Sequence, residues 1–408
     1  MPKDSFTLPQ YIDLVIIGAG VQALTLTTHL LQKSSKHYSK FIVIDSDGAW
    51  MKQWHHQFAA QQIPHLRSPA VHHPDPNPYE LRRFAQNRKS ELFPPYDRPG
   101  TKLFADFCNE VIRRWRLEDK VYRGKVRQIL PIKHCSRSRF QLVLDEGKGI
   151  VARKVVLAIG SGKLQLPEWV NRIRCDGPSD RLCHSVEVDL RHLNLAGERI
   201  LVIGGGLTSA HLALGAINLG AKVTLMTRKP FQEKIFDTDP GWLGPKYLKN
   251  FHAERDWHLR WQMIQKARNG GSMTPAMMLQ LRKASREGKI ILNQNCQVKE
   301  ATWQNNNWQV NCQDNSTHQF NRIWLATGTK LDAIDLPLLK DVLKVYPTEI
   351  VNGLPVLDDR LRLPKSNFFM MGALAALQIG PVARNIAGGI KACDRIIPAL
   401  IKPSLVSI

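Results

Sequence analysis

Asp13-Leu-Val-Ile-Ile-Gly18-Ala-Gly20-Val-Gln-Ala23 is the stretch from which the fold of this chain can be inferred. Four apolar residues lead directly into Gly18, and the helical pattern that follows predicts a buried strand, a tight turn and a helix. The first turn of such a helix has free N–H groups and the positive end of the helix dipole, so it can hold a pyrophosphate. We expect Gly18 to permit the turn and Gly20 to let a phosphate approach the backbone. Ala23 should allow the helix to pack closely on the strand.

A second apolar strand, Phe41-Ile-Val-Ile-Asp45, follows this helix and ends in a carboxylate. That is the usual position of the acid that binds the ribose of a dinucleotide. A glycine-rich turn can also be purely structural, so the motif decides little when it stands alone. With the strand, the helix and Asp45 in register, the sequence predicts a dinucleotide site.

The same pattern returns at Arg199-Ile-Leu-Val-Ile-Gly204-Gly-Gly206-Leu-Thr-Ser209. Its second strand, Lys222-Val-Thr-Leu-Met226, is followed by a threonine, Arg228 and Lys229 instead of an acid. A guanidinium pairs bidentately with a ribose 2′-phosphate, whereas a carboxylate would repel it. We therefore expect Arg228 and Lys229 to favour NADPH over NADH. The alternative is that Arg228 merely ends a strand in solvent.

The features around the two motifs form an internal repeat. After each motif the chain makes a long excursion, then short strands, and then an apolar strand that ends at a glycine, at Ala158-Ile159-Gly160 and at Ala326-Thr327-Gly328. Such a glycine suggests close approach of the backbone to another group. The repeat predicts two dinucleotide folds in one chain.

The composition limits what the chain can be. Its 408 residues are enough for two or three domains, and its hydrophobic content of 43% is normal for a globular protein. The apolar runs fall short of the roughly 20 residues that a membrane-spanning helix needs. The first residues lack the apolar core of a secretion signal, so we expect an unprocessed cytoplasmic protein.

Seven cysteines are scattered along the chain, and no Cys-x-x-Cys pair occurs. An odd, dispersed set argues against a disulfide framework and against a zinc site. The missing pair also argues against a dithiol relay of the thioredoxin-reductase kind. The tandem histidines at 55–56 and 72–73 lack the helical spacing of metal ligands, so we expect no bound metal.

The net charge of +22 is large, and a strongly basic surface favours solubility and attracts anions. Attraction to anionic cofactors is the simplest explanation, and peripheral contact with an acidic protein or an anionic membrane is the alternative. The sequence contains no nucleic-acid-binding motif, so we do not expect nucleic acid as a partner. It does not indicate an oligomeric state.

The C-terminal segment contains Gly380-Pro381 followed by a helical pattern that runs to about Leu400. Proline suits the first turn of a helix, so we expect the helix to begin at Pro381. The dipole of that helix could then face the N1–C2=O edge of a reduced flavin. The alternative is a basic amphipathic helix that packs on the protein or touches a membrane.

Taken together, these motifs resemble those of flavoproteins with two dinucleotide-binding domains. Within that group the chain resembles the flavin-containing and N-hydroxylating monooxygenases, which include ornithine and lysine N-hydroxylases. The first glycine motif with Asp45 matches the FAD site of these families, and the second with Arg228 matches their NADPH site. The two glycine strand ends, the Gly48-Ala-Trp50 stretch and His184-Ser185 also resemble family motifs.

The resemblance implies an α/β fold with two Rossmann-like domains, one for FAD and one for NADPH. Each would carry a small antiparallel β-meander, and the C-terminal segment would complete the FAD domain. We predict an FAD domain at 1–165 and 330–408, a linker at 166–189, and an NADP domain at 190–329 with a helical insertion at about 231–290.

The resemblance also implies a mechanism. NADPH would reduce FAD, a C4a-(hydro)peroxyflavin would form, and one oxygen atom would pass to a small nitrogen or sulfur nucleophile. Because the cofactor carries the chemistry, no catalytic side chain is assigned. Trp50 and Trp54 would wall the isoalloxazine, while Asp239, Trp242 and Lys246 are candidates for the substrate mouth.

Two other functions remain open at this point. One is an NADPH dehydrogenase that passes electrons to a quinone or a protein acceptor. The other is a flavin- and NADP-binding interaction protein that senses redox state.

Overall fold

The computed structural model of the chain describes residues 8–134, 137–145, 147–160, 162–173 and 178–401. Within this part the strands, in chain order, are β1 Tyr11–Ile17, β2 Phe41–Asp45, β3 Leu92–Phe93, β4 Arg98–Pro99, β5 Val121–Arg123, β6 Val126–His134, β7 Arg137–Leu144, β8 Gly149–Leu157, β9 Lys163–Leu164, β10 Leu182–His184, β11 Arg199–Ile203, β12 Lys222–Thr227, β13 Ile290–Gln294, β14 Val298–Gln304, β15 Asn307–Cys312, β16 Thr317–Phe320, β17 Arg322–Leu325, β18 Thr329–Lys330, β19 Ile350–Val351, β20 Leu354–Pro355 and β21 Phe368–Met370. The helices are α1 Val21–Lys33, α2 Lys52–Ala60, α3 Glu80–Phe84, α4 Thr101–Arg114, α5 Leu207–Asn218, α6 Pro245–Ala253, α7 Trp257–Arg268, α8 Pro275–Arg286, α9 Lys340–Val345, α10 Ala376–Ile379 and α11 Ile386–Ile401.

The first sheet is built around β1, whose residues 14–17 are buried. Its order is β5-β2-β1-β8-β7-β6, with β21 also paired to β8. β1 runs parallel to both β2 and β8. Continuous apolar runs are typical of parallel strands that are covered on both faces, which explains the sequence pattern of β1, β2 and the end of β8.

Strand β8 pairs with strands of both the antiparallel meander and the parallel part of the first sheet. Its first half pairs antiparallel with β7, where Ala152 lies opposite Phe140. Its second half pairs in parallel with β21, where Val155 lies opposite Phe368. The β6–β7–β8 meander therefore grows out of the parallel sheet, and the C-terminal segment completes that sheet, as the sequence predicted.

The second sheet has the order β10-β17-β11-β12-β13, and all its pairings are parallel. A separate antiparallel sheet, β14-β15-β16, forms the second predicted meander. The predicted linker at 166–189 contains a short strand in its second half. β10 lies inside it and pairs with β17, so that His184 lies opposite Leu325.

The chain passes from the unit built on the first sheet to the unit built on the second, and later returns. The two connecting segments lie side by side. β9 carries the chain out of the first unit just after Gly160, and β18 carries it back just after Gly328. The two short strands pair antiparallel, with Leu164 opposite Thr329. A Cβ on Gly162 would collide with the backbone of Lys330, so a glycine is required where the crossings touch.

The helical insertion divides between the two cores. α7 and α8 coincide with helical patterns in the sequence at 255–268 and 274–287, whereas the short helix α6 begins in a turn-dense stretch that does not predict a helix. Residues of α6 and α7, including Phe251 and Ile264, join the core of the first unit. Met277 and Leu281 of α8 join the core of the second unit. The insertion interrupts the second unit along the chain, yet two of its three helices, α6 and α7, contribute to the core of the first unit.

The C-terminal helix does not begin at Pro381. The short helix α10 ends at Gly380, whose φ is +91°, and a turn then leads to α11, which begins at Ile386. The predicted helix start and the dipole aimed from Pro381 are therefore wrong. A run of turns replaces the first helical turn because the chain reverses there between α10 and α11.

Helix α11 packs on α1, and a Cβ on Gly389 would lie 2.5 Å from Oε1 of Gln22. The apolar side of this terminal helix is thus covered by protein. Among the described residues, no helix is both long enough and apolar enough to cross a bilayer.

Candidate functional site

The first phosphate cradle is the turn between β1 and α1. Gly18 has φ +99°, and a Cβ there would lie 2.9 Å from the carbonyl oxygen of Ala158. Its N–H donates to the carbonyl of Ile44 at 2.8 Å. Both the dihedral and the close approach require glycine, so the predicted role of Gly18 in the turn has a direct structural cause.

The space in front of this turn is open. Gly20 is the exposed N-cap of α1, and a Cβ built on it would meet nothing within 4 Å. Ala23 is fully buried against the sheet. Oδ2 of Asp45 accepts the Ala19 N–H at 2.9 Å, which holds the carboxylate beside the cradle. Since each carboxylate oxygen can accept further bonds, the arrangement fits a pyrophosphate on α1 and a ribose beside Asp45.

The second cradle, between β11 and α5, repeats this construction. A Cβ on Gly204 would lie 2.5 Å from the carbonyl oxygen of Ala326, and the Gly204 N–H donates to Met226 at 3.0 Å. Ser209 stands where Ala23 stands in the first cradle, and its hydroxyl donates to the Gly206 carbonyl at 2.6 Å.

The space before the second cradle is occupied. A Cβ on Gly206 would lie 3.6 Å from Cα of Gly271, and a Cβ on Gly271 would lie 2.6 Å from Cα of Gly206. Gly271 therefore covers the first turn of α5, and we call residues 269–272 the roof loop. A phosphate can reach the Gly206 backbone only if the roof loop gives way.

Arg228 and Lys229 follow directly after β12 and are exposed. In the described part of the chain neither side chain has an ion-pair or hydrogen-bond partner. β12 is parallel to β11, so Arg228 lies at the same edge of the sheet as the glycine turn. An unpaired guanidinium at this edge fits a ribose phosphate.

The two glycine strand ends lie just beyond the residues that contact the glycine turns, and cofactor contact at Gly160 and Gly328 stays a prediction. The carbonyls that press on Gly18 and Gly204 belong to Ala158 and Ala326, two residues before Gly160 and Gly328. Gly160 is exposed with open space in front of it. The Gly328 carbonyl accepts bonds at the crossing of the chain, from the ring of His184 among others.

The two tryptophans after Asp45 are engaged in packing. Trp50 is buried, and its indole N–H donates to the Leu117 carbonyl at 2.8 Å. Trp54 stacks on Phe58 at 4.2 Å and tilts on Phe104 at 5.4 Å. These contacts favour a structural role, and contact with a flavin ring stays a prediction for both.

A polar network that the sequence did not reveal ties the second excursion to α1. Oδ2 of Asp237 accepts from Arg268 at 2.8 Å, and Oδ1 accepts from the Asn385 amide at 3.1 Å. The Asn385 carbonyl accepts from the amide of Gln22, in the first turn of α1, at 3.0 Å. Arg268 also donates to the carbonyl of Pro381. The predicted pair Gly380 and Pro381 therefore lies beside this network.

Arg67 connects the first excursion to the roof loop. Its guanidinium donates to the carbonyls of Lys234 and Ile235 and to the carbonyl and hydroxyl of Ser272. Burial lowers the pKa of Arg67, although an arginine remains charged at any physiological pH. No motif marks this residue, because its partners are backbone groups far away in sequence.

A cavity of about 780 Å³ lies between the two excursions. Its walls include Tyr96 from the first excursion and Phe236, Asp239 and Trp242 from the second. Two of the three predicted substrate residues thus line one cavity. The third, Lys246, is exposed, and its ammonium lies 5.1 Å from the ring centroid of Tyr247, which is also in the wall.

One cluster of potential metal ligands occurs among the described residues. Cys296, Cys312 and Asp314 place their ligand atoms within 4.8 Å of one another. Burial raises the pKa of Cys296 to about 12, so that thiol is protonated at neutral pH. The scattered cysteines of the sequence gave no hint of this proximity.

Comparison with known families now identifies the group. The family described as pyridine nucleotide-disulphide oxidoreductase matches residues 15–269, which is more than half of the chain. The chain belongs to this oxidoreductase family. A curated relative, the ferredoxin–NAD(+) reductase component of 3-phenylpropionate/cinnamic acid dioxygenase from Photorhabdus laumondii, is 29% identical over 180 residues. That match covers 40% of this chain and 41% of the relative, so the chain matches less than half the length of that relative.

Solved structures share the fold over almost the whole chain. The FAD-bound cadaverine monooxygenase from Erwinia amylovora has a TM-score of 0.77 at 14% identity, covering 98% of this chain and 97% of that one. The ornithine N-hydroxylase from Kutzneria sp. 744, solved with reduced FAD, NADP+ and L-ornithine, has a TM-score of 0.74 at 15% identity, covering 96% and 99%. The predicted two-domain Rossmann-like α/β fold is confirmed.

Proposed function

We propose that this chain is an FAD-dependent, NADPH-using monooxygenase that oxygenates a small nitrogen or sulfur nucleophile. The observation that carries the proposal is the pair of cradles of equal construction, the first beside Asp45 and the second beside the unpaired Arg228. The similar structures named above hold FAD or reduced FAD with NADP+ in this fold. The chain has no Cys-x-x-Cys pair for a dithiol relay, which disfavours disulfide reduction within this family.

The first cradle and Asp45 would hold the pyrophosphate and ribose of FAD. In such sheets the ligand lies in the crevice beyond the carboxyl ends of the strands. The flavin ring would then extend from β1 across the ends of β8 and β21, on the side of the Asp237 network. When bound, the flavin supplies the redox and oxygen chemistry.

The residues of the chain would bind, orient and shield the reacting groups. Arg228 and Lys229 would hold the 2′-phosphate of NADPH. Arg67, whose donors fasten the roof loop to the first excursion, would link the two nucleotide sites mechanically. The cavity beside Trp242 would receive the small-molecule substrate. A cytoplasmic location and a partner for the basic surface remain predictions of the sequence.

The test is a reduction and reoxidation experiment on the purified, FAD-loaded protein. NADPH added without oxygen should bleach the flavin absorbance, and air should restore it through a transient spectrum that belongs to neither the oxidised nor the reduced flavin. Oxygen-18 gas should label the product formed from a competent substrate.

The second candidate is an NADPH dehydrogenase, which the partial likeness to a ferredoxin–NAD(+) reductase component favours. Direct reoxidation without the transient, together with rapid reduction of a quinone or a ferredoxin, would support it. A flavin that NADPH never bleaches would exclude both enzymes and support the redox-sensing binding protein.

A further inference from the structure

The cavity between the excursions has aromatic walls on two sides. Tyr96 of the first excursion and Phe236 of the second face each other with ring centroids 5.4 Å apart. Trp242 and Tyr247 form a second pair at 5.4 Å, and Trp242 is held edge-on by Phe251 behind it. Rings in tilted pairs such as these leave faces and edges on which a planar apolar ligand can stack.

Hydrogen bonds link the cavity to the first cradle, where the proposed function places FAD. Phe236 and Thr238 line the cavity, and the residue between them, Asp237, bonds to Asn385. Asn385 in turn bonds to Gln22 in the first turn of α1, two residues after Gly20. Two successive hydrogen bonds thus connect the wall of the cavity to the first cradle.

The charged groups around the cavity are mostly cationic. Lys234 and Lys266 line it, and among the described residues neither ammonium has an ion-pair partner. Lys246 lies beside Tyr247 in the same wall. An unpaired ammonium next to an apolar wall attracts an anion and repels a cation more strongly than it would in open water.

Of the three acids nearby, two are paired with arginines. Oδ2 of Asp237 accepts from Arg268 and its Oδ1 accepts from Asn385. Glu233 is paired with Arg282. The third, Asp239, lines the cavity; its Oδ1 accepts the Gly241 N–H at 2.7 Å and caps the short turn that carries Trp242. Among the described residues, a diamine would therefore meet one unpaired carboxylate in the wall, against the two unpaired ammonium groups of Lys234 and Lys266.

We propose that this cavity binds an aromatic or similarly apolar molecule that carries one anionic group, and not a small aliphatic diamine or diamino acid. The proposal rests on the proposed function, because it names the substrate class of the same site. A cavity of about 780 Å³ suits a ring-bearing ligand, and its walls would bury the ring while Lys234 and Lys266 hold the anion. The ornithine and cadaverine of the similar enzymes are smaller, aliphatic and cationic at one end or both.

The test compares molecules that share one ring and differ in charge. Dissociation constants of indole-3-acetate, indole and tryptamine are measured by calorimetry on the FAD-loaded protein with NADP+, beside L-ornithine and cadaverine. We expect indole-3-acetate to bind about tenfold more tightly than tryptamine, with indole between them. L-Ornithine and cadaverine should bind more weakly than all three.

Variants assign the effect to this cavity. The double variant Lys234→Gln, Lys266→Gln should remove the advantage of indole-3-acetate over tryptamine and leave indole nearly unchanged. Trp242→Leu should weaken all three indoles together. Lys249→Gln is the matched control, since Lys249 is an exposed lysine on α6 that does not line the cavity.

Three results would overturn the proposal: tighter binding of L-ornithine or cadaverine than of indole-3-acetate, equal binding of tryptamine and indole-3-acetate, or no saturable binding of any indole. Bleaching of the flavin by NADPH is measured separately and needs no substrate. A protein that binds indole-3-acetate but is not bleached would contradict the proposed function and leave the binding class standing.

Discussion

The two phosphate cradles are built alike but differ in what lies before them. Gly18 and Gly204 each lie against an alanine carbonyl from the neighbouring strand, so the turn has the same cause in both. In front of Gly20 there is open space, whereas Gly271 lies in van der Waals contact with Gly206. The motif therefore dictates the shape of the turn, while a loop from elsewhere in the chain decides whether a ligand can reach it.

The charged residues beside the two cradles also differ, because one is held by a hydrogen bond and the other is not. Asp45 is already bonded to the Ala19 N–H, so its carboxylate is held in place before a ligand arrives. Arg228 has no such bond within the described part of the chain and stands in solvent. Under the proposed function, the first site would be preorganised for its ligand, whereas the second would have to bring together a phosphate, Arg228 and an opened roof loop on binding.

The largest effect should come from blocking the open cradle. Gly20→Val places a side chain where only the pyrophosphate would be, since a Cβ there meets no protein atom within 4 Å. We expect FAD affinity to fall about a hundredfold, with a loss of about 1 kcal/mol in stability from the altered N-cap. Flavin content and unfolding in urea measure the two effects.

The reciprocal variant Gly206→Val is the control for this comparison. It should impair NADPH binding while the protein keeps its flavin. Recovery of Gly20→Val with a full complement of FAD would show that the first cradle has been assigned to the wrong ligand.

The next effect tests the roof loop. Gly271→Ala brings a Cβ to 2.6 Å from the Gly206 backbone, so the roof loop or α5 must shift. We expect the free energy of unfolding to drop by about 1–3 kcal/mol while flavin binding is unchanged. Gly149→Ala, whose Cβ would meet its nearest atom at an ordinary 3.5 Å, should stay within about 0.5 kcal/mol of the parent protein. Equal stability of the two variants would mean that the roof loop is not in contact with the cradle in solution.

A smaller effect is expected from the charge beside the second cradle. Arg228→Ala should lower the preference for NADPH over NADH, measured as the ratio of kcat/KM values, by about tenfold. Lys222→Ala, at the opposite end of β12 and also exposed, is the matched control and should leave the ratio unchanged. An unaltered preference in Arg228→Ala would place the 2′-phosphate elsewhere.

The last prediction concerns pH and compares a buried residue of α5 with the equivalent residue of α1. His211 is buried in α5, and burial, with His65 nearby, lowers its pKa to about 4. Between pH 6.5 and about 4 the unfolded state binds a proton that the folded state does not, so stability falls as the pH is lowered through this range. The equivalent position of α1 is Thr25, which does not titrate.

Replacing the imidazole isolates this contribution. His211→Met should reduce the slope of the unfolding free energy against pH between pH 6.5 and 4. The reduction should correspond to the loss of up to about one proton bound on unfolding, measured by urea denaturation at several pH values. An unchanged slope would mean that His211 is not buried as a neutral ring.

Much of the fold could be predicted because its signals are local. The strand, turn and helix at 13–23 and at 199–209 are contiguous, and apolar runs, glycines and helical periodicity specify them without reference to the rest of the chain. The repeat of these elements led correctly to two units, two meanders and a C-terminal segment that returns to the first sheet. The acid at Asp45 and the cation at Arg228 could be located in the same way, by counting from the glycines.

The failures concern features whose cause is distant in sequence. β10 is only three residues long, and it forms because it can pair with the free edge of β17. Since β17 is distant in sequence, the local pattern of this segment predicted only a linker. The expected helix start at Pro381 gave way to a chain reversal between α10 and α11. The sequence also did not indicate that the indole N–H of Trp50 donates to the carbonyl of Leu117, and the contact of Trp50 with a flavin stays a prediction.

By itself, the sequence determined the two glycine turns, the order of the units and the sign of the charge at the end of the second strand of each unit, because each is specified by a few consecutive residues. Only the tertiary structure decided that Gly271 covers Gly206, that Arg67 fastens the roof loop, and that aromatic rings from two excursions enclose one cavity. Those features depend on contacts between segments that lie far apart along the chain, and such contacts are established by the packing of the whole molecule and leave no local pattern.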